Sequence, residues 1–300
     1  MQWFNALVAR SLPLIPKPVM RRLSSRYVAG ETLDSCVRTV RDLNSRGFRA
    51  TIDILGEFVR TSEEAERVAT EYCAVLDRIA ADRLDANISV KPTHLGLKIG
   101  RDVALAQMGR LCEHARKSGN FVRIDMEDAS CLDDTYAIYQ RLTESHSNVG
   151  LVMQAYLRRA WNDLRAREGR MTNFRLCKGI YREPYAVAYH DPEAVRRNFT
   201  VLLDEMFRSG FFVGIATHDE LLAWEAERLI RTHQRTPLQY EFQMLLGVGE
   251  RLRDTLRAAG HPIRIYVPFG ADWHAYTMRR LRRNPAIVGH VMRRVFGRGG

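Results

Sequence analysis

Short β-branched and aromatic runs alternate with longer amphipathic stretches through most of the chain, the pattern that builds βα units around a parallel sheet. Eight runs read as strands, at 48–55, 87–91, 121–126, 149–155, 174–178, 211–216, 238–244 and 264–268. Each is followed by a helical pattern; over 62–84, Val68, Tyr72, Val75, Leu76 and Ile79 recur at helical spacing. Residues 31–45 read as an extra helix before the first strand, and the residues ahead of it as short helices broken by prolines. The chain therefore divides into an N-terminal helical arm, 1–47, and a catalytic domain, 48–300. Eight strands each followed by a helix complete an α/β fold of the closed (β/α)8 TIM-like barrel type with extra N-terminal helices, whereas an open doubly wound sheet usually has about five or six.

In such a barrel the active site lies at the C-terminal ends of the strands. The side chains there are polar: Ser89 and Lys91, Arg123 and Asp125, Gln154, Arg175 and Lys178, Thr217 and His218, Glu241 and Gln243, and Tyr266. Several share one period-2 phase, as in Arg123 and Asp125, in Gln239, Glu241 and Gln243, or in Arg264 and Tyr266, while Tyr240, Phe242, Met244, Ile265 and Val267 occupy the other. The polar phase then faces the barrel axis. Satisfied structural ion pairs account for such residues singly; so many desolvated charges together point to a ligand with anionic and polar parts. After the last strand, Tyr276, Arg279 and Arg280 fall on one face of a helix predicted over 272–283. Two adjacent guanidinium groups repel unless solvent or an anion separates them, and on the rim of this face their forks suit a carboxylate.

Composition adds boundaries. The chain has 300 residues, 46% hydrophobic and 27% charged, enough for one large folded domain. Its +11 formal charge is compatible with nucleic acid, an anionic membrane or an anionic ligand, and much of the excess sits at the two ends. Residues 1–30 hold Arg10, Lys17, Arg21, Arg22 and Arg26 with no acid. The aromatic residues lie mostly at apolar periodic positions and are not interleaved with the basic ones, which argues against nucleic acid. Cys36, Cys73, Cys112, Cys131 and Cys177 are widely spaced with no C-x-x-C pair and read as reduced thiols of a cytoplasmic protein. There is no run long enough for a membrane span and no signal-peptide layout. P-loop, H-E-x-x-H and G-x-S-x-G motifs are absent, and Gly247-Val248-Gly249 lacks the third glycine of a dinucleotide fingerprint. No metal site is expected.

Taken in order along the chain, the strand-end motifs resemble those of the proline dehydrogenase family. They are S-V-K-P-T-H-L-G-L at 89–97, R-I-D-M-E-D at 123–128, Q-A-Y at 154–156, R-L-C-K-G-I-Y at 175–181, A-T-H-D at 216–219, Y-E-F-Q-M-L-L-G at 240–247, Y-V-P-F-G at 266–270 and Y-T-M-R-R at 276–280. The resemblance implies a barrel that holds FAD over its mouth, oxidises L-proline to 1-pyrroline-5-carboxylate, and passes electrons to a membrane quinone. It further implies that Lys91, Arg279 and Arg280 hold the proline carboxylate and that Tyr266, Tyr181, Tyr276 and Leu246 surround its ring. Arg175 would stand by the reactive flavin nitrogen, and Asp125 would orient Lys91 or Arg175. Met126 and Gln154 would contact the flavin ring, with Lys178, Gly179, Ile180, Tyr181, Thr217 and His218 along the rest of the cofactor.

The chain departs from the family pattern at Asp219, where Asn is expected, at Ile180, where a smaller residue is expected, and at Arg283, where an acid often stands. Competing readings are a hydroxyproline dehydrogenase, which needs a partner for the extra hydroxyl, and a non-flavin barrel lyase or aldolase with Lys91 or Lys178 as a Schiff-base amine of lowered pKa. The basic ends raise the expectation of peripheral contact with the inner face of an anionic membrane.

Overall fold

The computed structural model describes residues 20–21, 24–166, 173–274 and 276–278. Strands β1 (Arg49–Ile54), β2 (Ala86–Val90), β3 (Val122–Ile124), β4 (Val149–Gln154), β5 (Asn173–Cys177), β6 (Phe212–Ala216), β7 (Tyr240–Leu245) and β8 (Ile263–Phe269) each pair in parallel with the next, and β8 returns to β1. This is the closed (β/α)8 barrel that the alternating pattern predicts. Helix α1 (Leu33–Ser45) precedes the barrel and packs against β1 and β8; α2 (Ser62–Ala81), α3 (Arg101–Lys117), α4 (Leu132–Thr143), α5 (Ala160–Arg165), α6 (Pro192–Arg208), α7 (Glu220–Thr232) and α8 (Glu250–Ala258) form the outer ring.

Helix α2 shows how the sequence makes one layer of this ring. Thr61 caps it by accepting from Glu64 N, and Glu63 and Glu64 set negative charge on its first turn, where exposed N–H groups favour it. Ala65, Ala69, Tyr72, Leu76 and Ile79 then form one buried stripe against the strands. The helix stops at Ala81, short of the predicted 84, because Arg83 takes a φ of 50° and Leu84 N turns back to Ile79 O at 3.0 Å.

Two strands have an end displaced by two residues inside the hydrophobic run that predicts them. β3 ends at Ile124 rather than 126, since the carbonyls of Met126 and Glu127 accept from the Gln154 side chain and not from a neighbouring strand. β7 begins at Tyr240 rather than 238: Leu238 is exposed and the Gln239 side chain accepts from Thr236 N in the preceding turn. Gln239 therefore does not join the polar row facing the axis.

The barrel interior is polar where many barrels carry Val, Ile and Leu. Asp53, Ser89, Arg123, Arg175, Glu241 and Gln243 are all buried, and the opposite phase, including Ile52, Ile88, Ile124, Leu176, Phe242 and Val267, is buried under the helices. Long polar side chains fit inside because two register partners carry none. Gly150 pairs with Arg123, and a Cβ there would lie 2.5 Å from Arg123 Nη1; a Cβ on Gly214 would lie 2.4 Å from Gln243 Nε2.

The lower half of this interior is a network around one carboxylate, joined to the mouth through Gln243, whose Oε1 accepts from Arg175 Nε. Glu241 Oε1 accepts from Arg264 Nε at 2.6 Å and from Gln243 Nε2 at 2.7 Å, Oε2 meets Arg49 Nη1 at 3.3 Å, and Arg264 also donates to Ala50 O. Burial alone would raise the Glu241 pKa, but Arg264, Gln243 and Arg49 outweigh it and hold the carboxyl below its ordinary value. Arg123 donates to Leu151 O, Asn173 O and Asn173 Oδ1, and its guanidinium lies 5.0 Å from the Phe121 ring centroid. Burial and the nearby Arg175 push its pKa down to about 9.

Candidate active site

At the upper end of β2 the chain reaches the barrel mouth, and Lys91 Nζ meets both oxygens of Asp53, on the last turn of β1, at 2.9 Å each. Asp53 is almost wholly buried, and Tyr72 of α2 also donates to it at 3.2 Å. Burial opposes the Lys91 charge, but Asp53 and Asp125 overcome that cost and raise its pKa, so the ammonium is fixed. An ammonium has three donors and Asp53 takes two. The third meets no hydrogen-bond partner among the described residues.

Across the mouth, Asp125 gathers three side chains. Its Oδ1 accepts from Arg175 Nη1 at 2.6 Å and from Ser89 Oγ at 2.7 Å, and its Oδ2 accepts from Tyr266 OH at 2.8 Å. Arg175 also donates through Nε to Gln243 Oε1, and its guanidinium lies 5.3 Å from the Tyr266 ring centroid. Among the described residues Arg175 Nη2 donates to none, so this guanidinium too is held by protein on one edge with donors remaining on the other. Burial and the Asp125 and Asp53 carboxylates raise the Tyr266 pKa well above its ordinary value, so the hydroxyl keeps its proton.

Gln154, at the end of β4, is buried. Its amide nitrogen donates to Met126 O and Glu127 O, each at 3.2 Å, which turns Oε1 away; that oxygen is buried and has no partner among the described residues. A buried acceptor left unmade is costly and marks a place for a donor. Met126 is buried beside it. Gly179 has a φ of 103°, and a Cβ on it would lie 2.2 Å from the Tyr156 ring, so no side chain fits there.

A second cluster forms between β5 and β6. Lys178 Nζ and Arg196 Nε both reach Asp219 Oδ2, at 2.5 and 2.8 Å, and Thr217 Oγ1 accepts from Asp219 N. Burial would raise the Asp219 pKa, but the two cations outweigh it and bring it down to about 2. His218 Nε2 accepts from Leu245 N at 2.9 Å, which places the ring proton on Nδ1 when the imidazole is neutral.

The structure thus brings together Lys91, Asp125, Arg175 and Tyr266 at the mouth, and Lys178, Thr217 and His218 beside them on β5 and β6. Ile180 is exposed, while Tyr181, Leu246 and Tyr276 are half-buried. Arg279, Arg280 and Arg283 lie outside the described residues. The sequence expectation that Asp125 orients Lys91 or Arg175 resolves to Arg175; the partner of Lys91 is Asp53, which sequence reasoning missed. It also missed Glu127, whose carboxylate accepts from Thr93 N and Thr93 Oγ1 and so fixes the turn after Lys91. His94 in that turn is packed against Gly56, where a Cβ would lie 2.2 Å from its Nε2. Burial and the neighbouring Lys91 push its pKa down to about 4, and its Nδ1 has no partner among the described residues. Among those residues there is no group of three or more His, Cys, Asp or Glu placed to hold a metal ion, and no helix is long and apolar enough to cross a membrane.

Comparison with known proteins adds ancestry to this geometry. The proline dehydrogenase family model matches residues 36–293. Proline dehydrogenase 1 of Bacillus subtilis is 36% identical over 95% of this chain and 94% of its own length. The proline dehydrogenase of Deinococcus radiodurans is 31% identical over 91% of this chain and 90% of its own. Among solved structures, proline utilization A (PutA) from Bdellovibrio bacteriovorus superposes with a TM-score of 0.82 at 21% identity; the match covers 88% of this chain but 33% of that larger one, and the likeness is one of fold. With a family match over most of its length and full-length relatives above 30% identity, the chain belongs to the proline dehydrogenase family.

Proposed function

We propose that the chain oxidises L-proline to 1-pyrroline-5-carboxylate, the first step in breaking proline down to glutamate, with bound FAD as cofactor and a quinone as final electron acceptor. The observation that carries this reading is the pair of carboxylate-locked cations, Lys91 and Arg175, set in one mouth with donors still unused. FAD, when bound, accepts the hydride that leaves the proline ring carbon beside nitrogen.

The protein's part is to hold the substrate and the charges. Lys91 gives its third donor to the proline carboxylate. The two cations Lys91 and Arg175 are already balanced by Asp53 and Asp125, so binding an anion there takes cations beyond these two. Arg279 and Arg280 supply them in this reading. Tyr266, Tyr181, Tyr276 and Leu246 enclose the ring and keep water away. Oxidation also needs the amine without its extra proton, a form that a closed, desolvated site favours.

The residues present fit a flavin. The unpartnered Gln154 Oε1 is an acceptor for a ring N–H, Met126 offers a buried apolar contact, and Lys178 and Arg196 exceed Asp219 by one positive charge where a diphosphate would pass. Gly179, Ile180, Thr217 and His218 border the same path. Arg175, fixed by Asp125, Ser89 and Gln243, presents positive charge to the reacting ring without having to reorganise, the arrangement that makes electrostatic stabilisation effective.

The rivals meet specific obstacles. A Schiff-base lyase needs an amine of lowered pKa, and that of Lys91 is raised. For hydroxyproline, the Tyr266 hydroxyl is already committed to Asp125. For the quinone, the acid-free basic stretch 1–30 is suited to the inner face of an anionic membrane, where each Lys or Arg contributes roughly 1 kcal/mol. The deciding experiment is the visible spectrum of the purified protein before and after L-proline. A yellow protein bleached by proline is expected; a colourless one that takes up no added FAD overturns the reading.

A further inference from the structure

We propose that Asp219 is a built-in counter-ion that weakens the grip of this chain on the diphosphate of its cofactor. This inference rests on the flavin reading above. Lys178, at the end of β5, and Arg196, on α6, converge on one oxygen of a single carboxylate, at 2.5 and 2.8 Å. Both cations are more than a third exposed, while Asp219 itself is mostly covered. Glu193 approaches Arg196 only at 3.8 Å and from the exposed side.

Two cations on adjacent elements that face one ligand path form a diphosphate grip. Here an internal anion already holds their inner edges. An incoming diphosphate therefore meets a net charge of one rather than two, and its own charge is repelled by a carboxylate that does not protonate near neutral pH. Asparagine, the residue the family pattern leads one to expect at this position, would leave both cations available.

Asp219 has a second task that asparagine can also perform. Its Oδ1 accepts from Leu221 N at 3.2 Å and caps α7, and Asn caps a helix as well as Asp does. Asp219→Asn thus removes the charge while keeping the cap and the size of the side chain.

The test is binding, measured with full-length protein stripped of flavin. FAD is titrated by quenching of tryptophan fluorescence, and ADP, which carries the diphosphate without the isoalloxazine, is titrated by calorimetry. Asp219→Asn is expected to lower the Kd for both by about tenfold, the scale of one charge interaction within a site. Arg196→Gln, which leaves Lys178 and Asp219 as a neutral pair, is expected to raise the Kd for ADP by a similar factor. Unchanged or weaker FAD and ADP binding in Asp219→Asn overturns the inference and makes Asp219 a support for Lys178. Failure of both the unaltered chain and the variant to take up FAD overturns the flavin reading instead, and this inference with it.

Discussion

Two sets of buried charges sit in one barrel, a few residues apart on the same strands, and they differ in what they leave over. In the lower set, Glu241, Arg264, Arg49 and Gln243 are joined around one carboxylate, and Arg123 donates through its two terminal nitrogens to Asn173 and main-chain carbonyls. In the upper set, Asp53 and Asp125 each hold a cation by part of its donors, and Gln154 keeps an acceptor buried with nothing opposite it. Polarity and burial do not separate the two sets. What separates them is where the spare capacity lies: in the lower set one donor, Arg123 Nε, has no partner among the described residues and is shut in the interior, whereas the upper set carries its spare donors and acceptor at the mouth, within reach of a ligand.

The sharpest way to break this comparison is to remove a carboxylate from the lower set. Glu241→Ala strands Arg264 in the interior, and breaking a buried pair in this way costs about 3–5 kcal/mol. Denaturant unfolding should show that loss, with the kcat of the fraction that remains folded reduced only by the loosening of Gln243 beside Arg175. A large kinetic defect without loss of stability would move Glu241 into the upper set.

A slightly smaller effect tests the turn beside Lys91. His94 has a folded pKa of about 4 against about 6.5 for an unperturbed imidazole, so the unfolded chain binds the extra proton first. Its stabilising contribution is whole above pH ~6.5 and is lost as pH falls toward 4, by on the order of 3 kcal/mol. Thermal melts across that range should steepen accordingly, and His94→Leu should flatten the dependence.

On the function proposed above, substituting Arg279 or Arg280 by Met removes one charge-assisted bond to the substrate carboxylate, worth roughly 1.5–3 kcal/mol. Each variant should lose about ten- to a hundredfold in kcat/KM for proline with its FAD content intact. Near-normal kinetics would make the arginine pair a solvated basic face. The smallest expected change is Tyr266→Phe, which frees one oxygen of Asp125 and leaves the ring in place. A net hydrogen bond is worth about 0.5–1.5 kcal/mol, so kcat/KM should fall by up to about tenfold, and the unfolding midpoint should move little.

The barrel was legible because its strands are amphipathic in a period of two while its helices are not. Arg123 with Asp125, and Arg264 with Tyr266, put the polar phase on view in the sequence itself. Asp53 was hidden by its setting. It stands inside the strand predicted over 48–55 as a lone acid, and its meaning appears only when β2 brings Lys91 alongside. Glu127 was hidden similarly, in an acidic run that reads as the first turn of a helix, although its carboxylate is spent on Thr93. Strand ends were misjudged by up to two residues: Gln154 took the carbonyls of Met126 and Glu127 away from the ladder, and a turn closed by the Gln239 side chain on Thr236 N runs up to the start of β7.

The two bare positions facing the axis, Gly150 and Gly214, tie the history of one strand to that of the next. Adding a methyl group at Gly214 collides with the Gln243 amide, and shortening Gln243 alone empties the space that the amide fills. Each single exchange is therefore a step down, while the two made together conserve volume. Lineages that depart from this interior should change such neighbours in concert, so that a glycine gained on one strand predicts a longer side chain on the strand beside it.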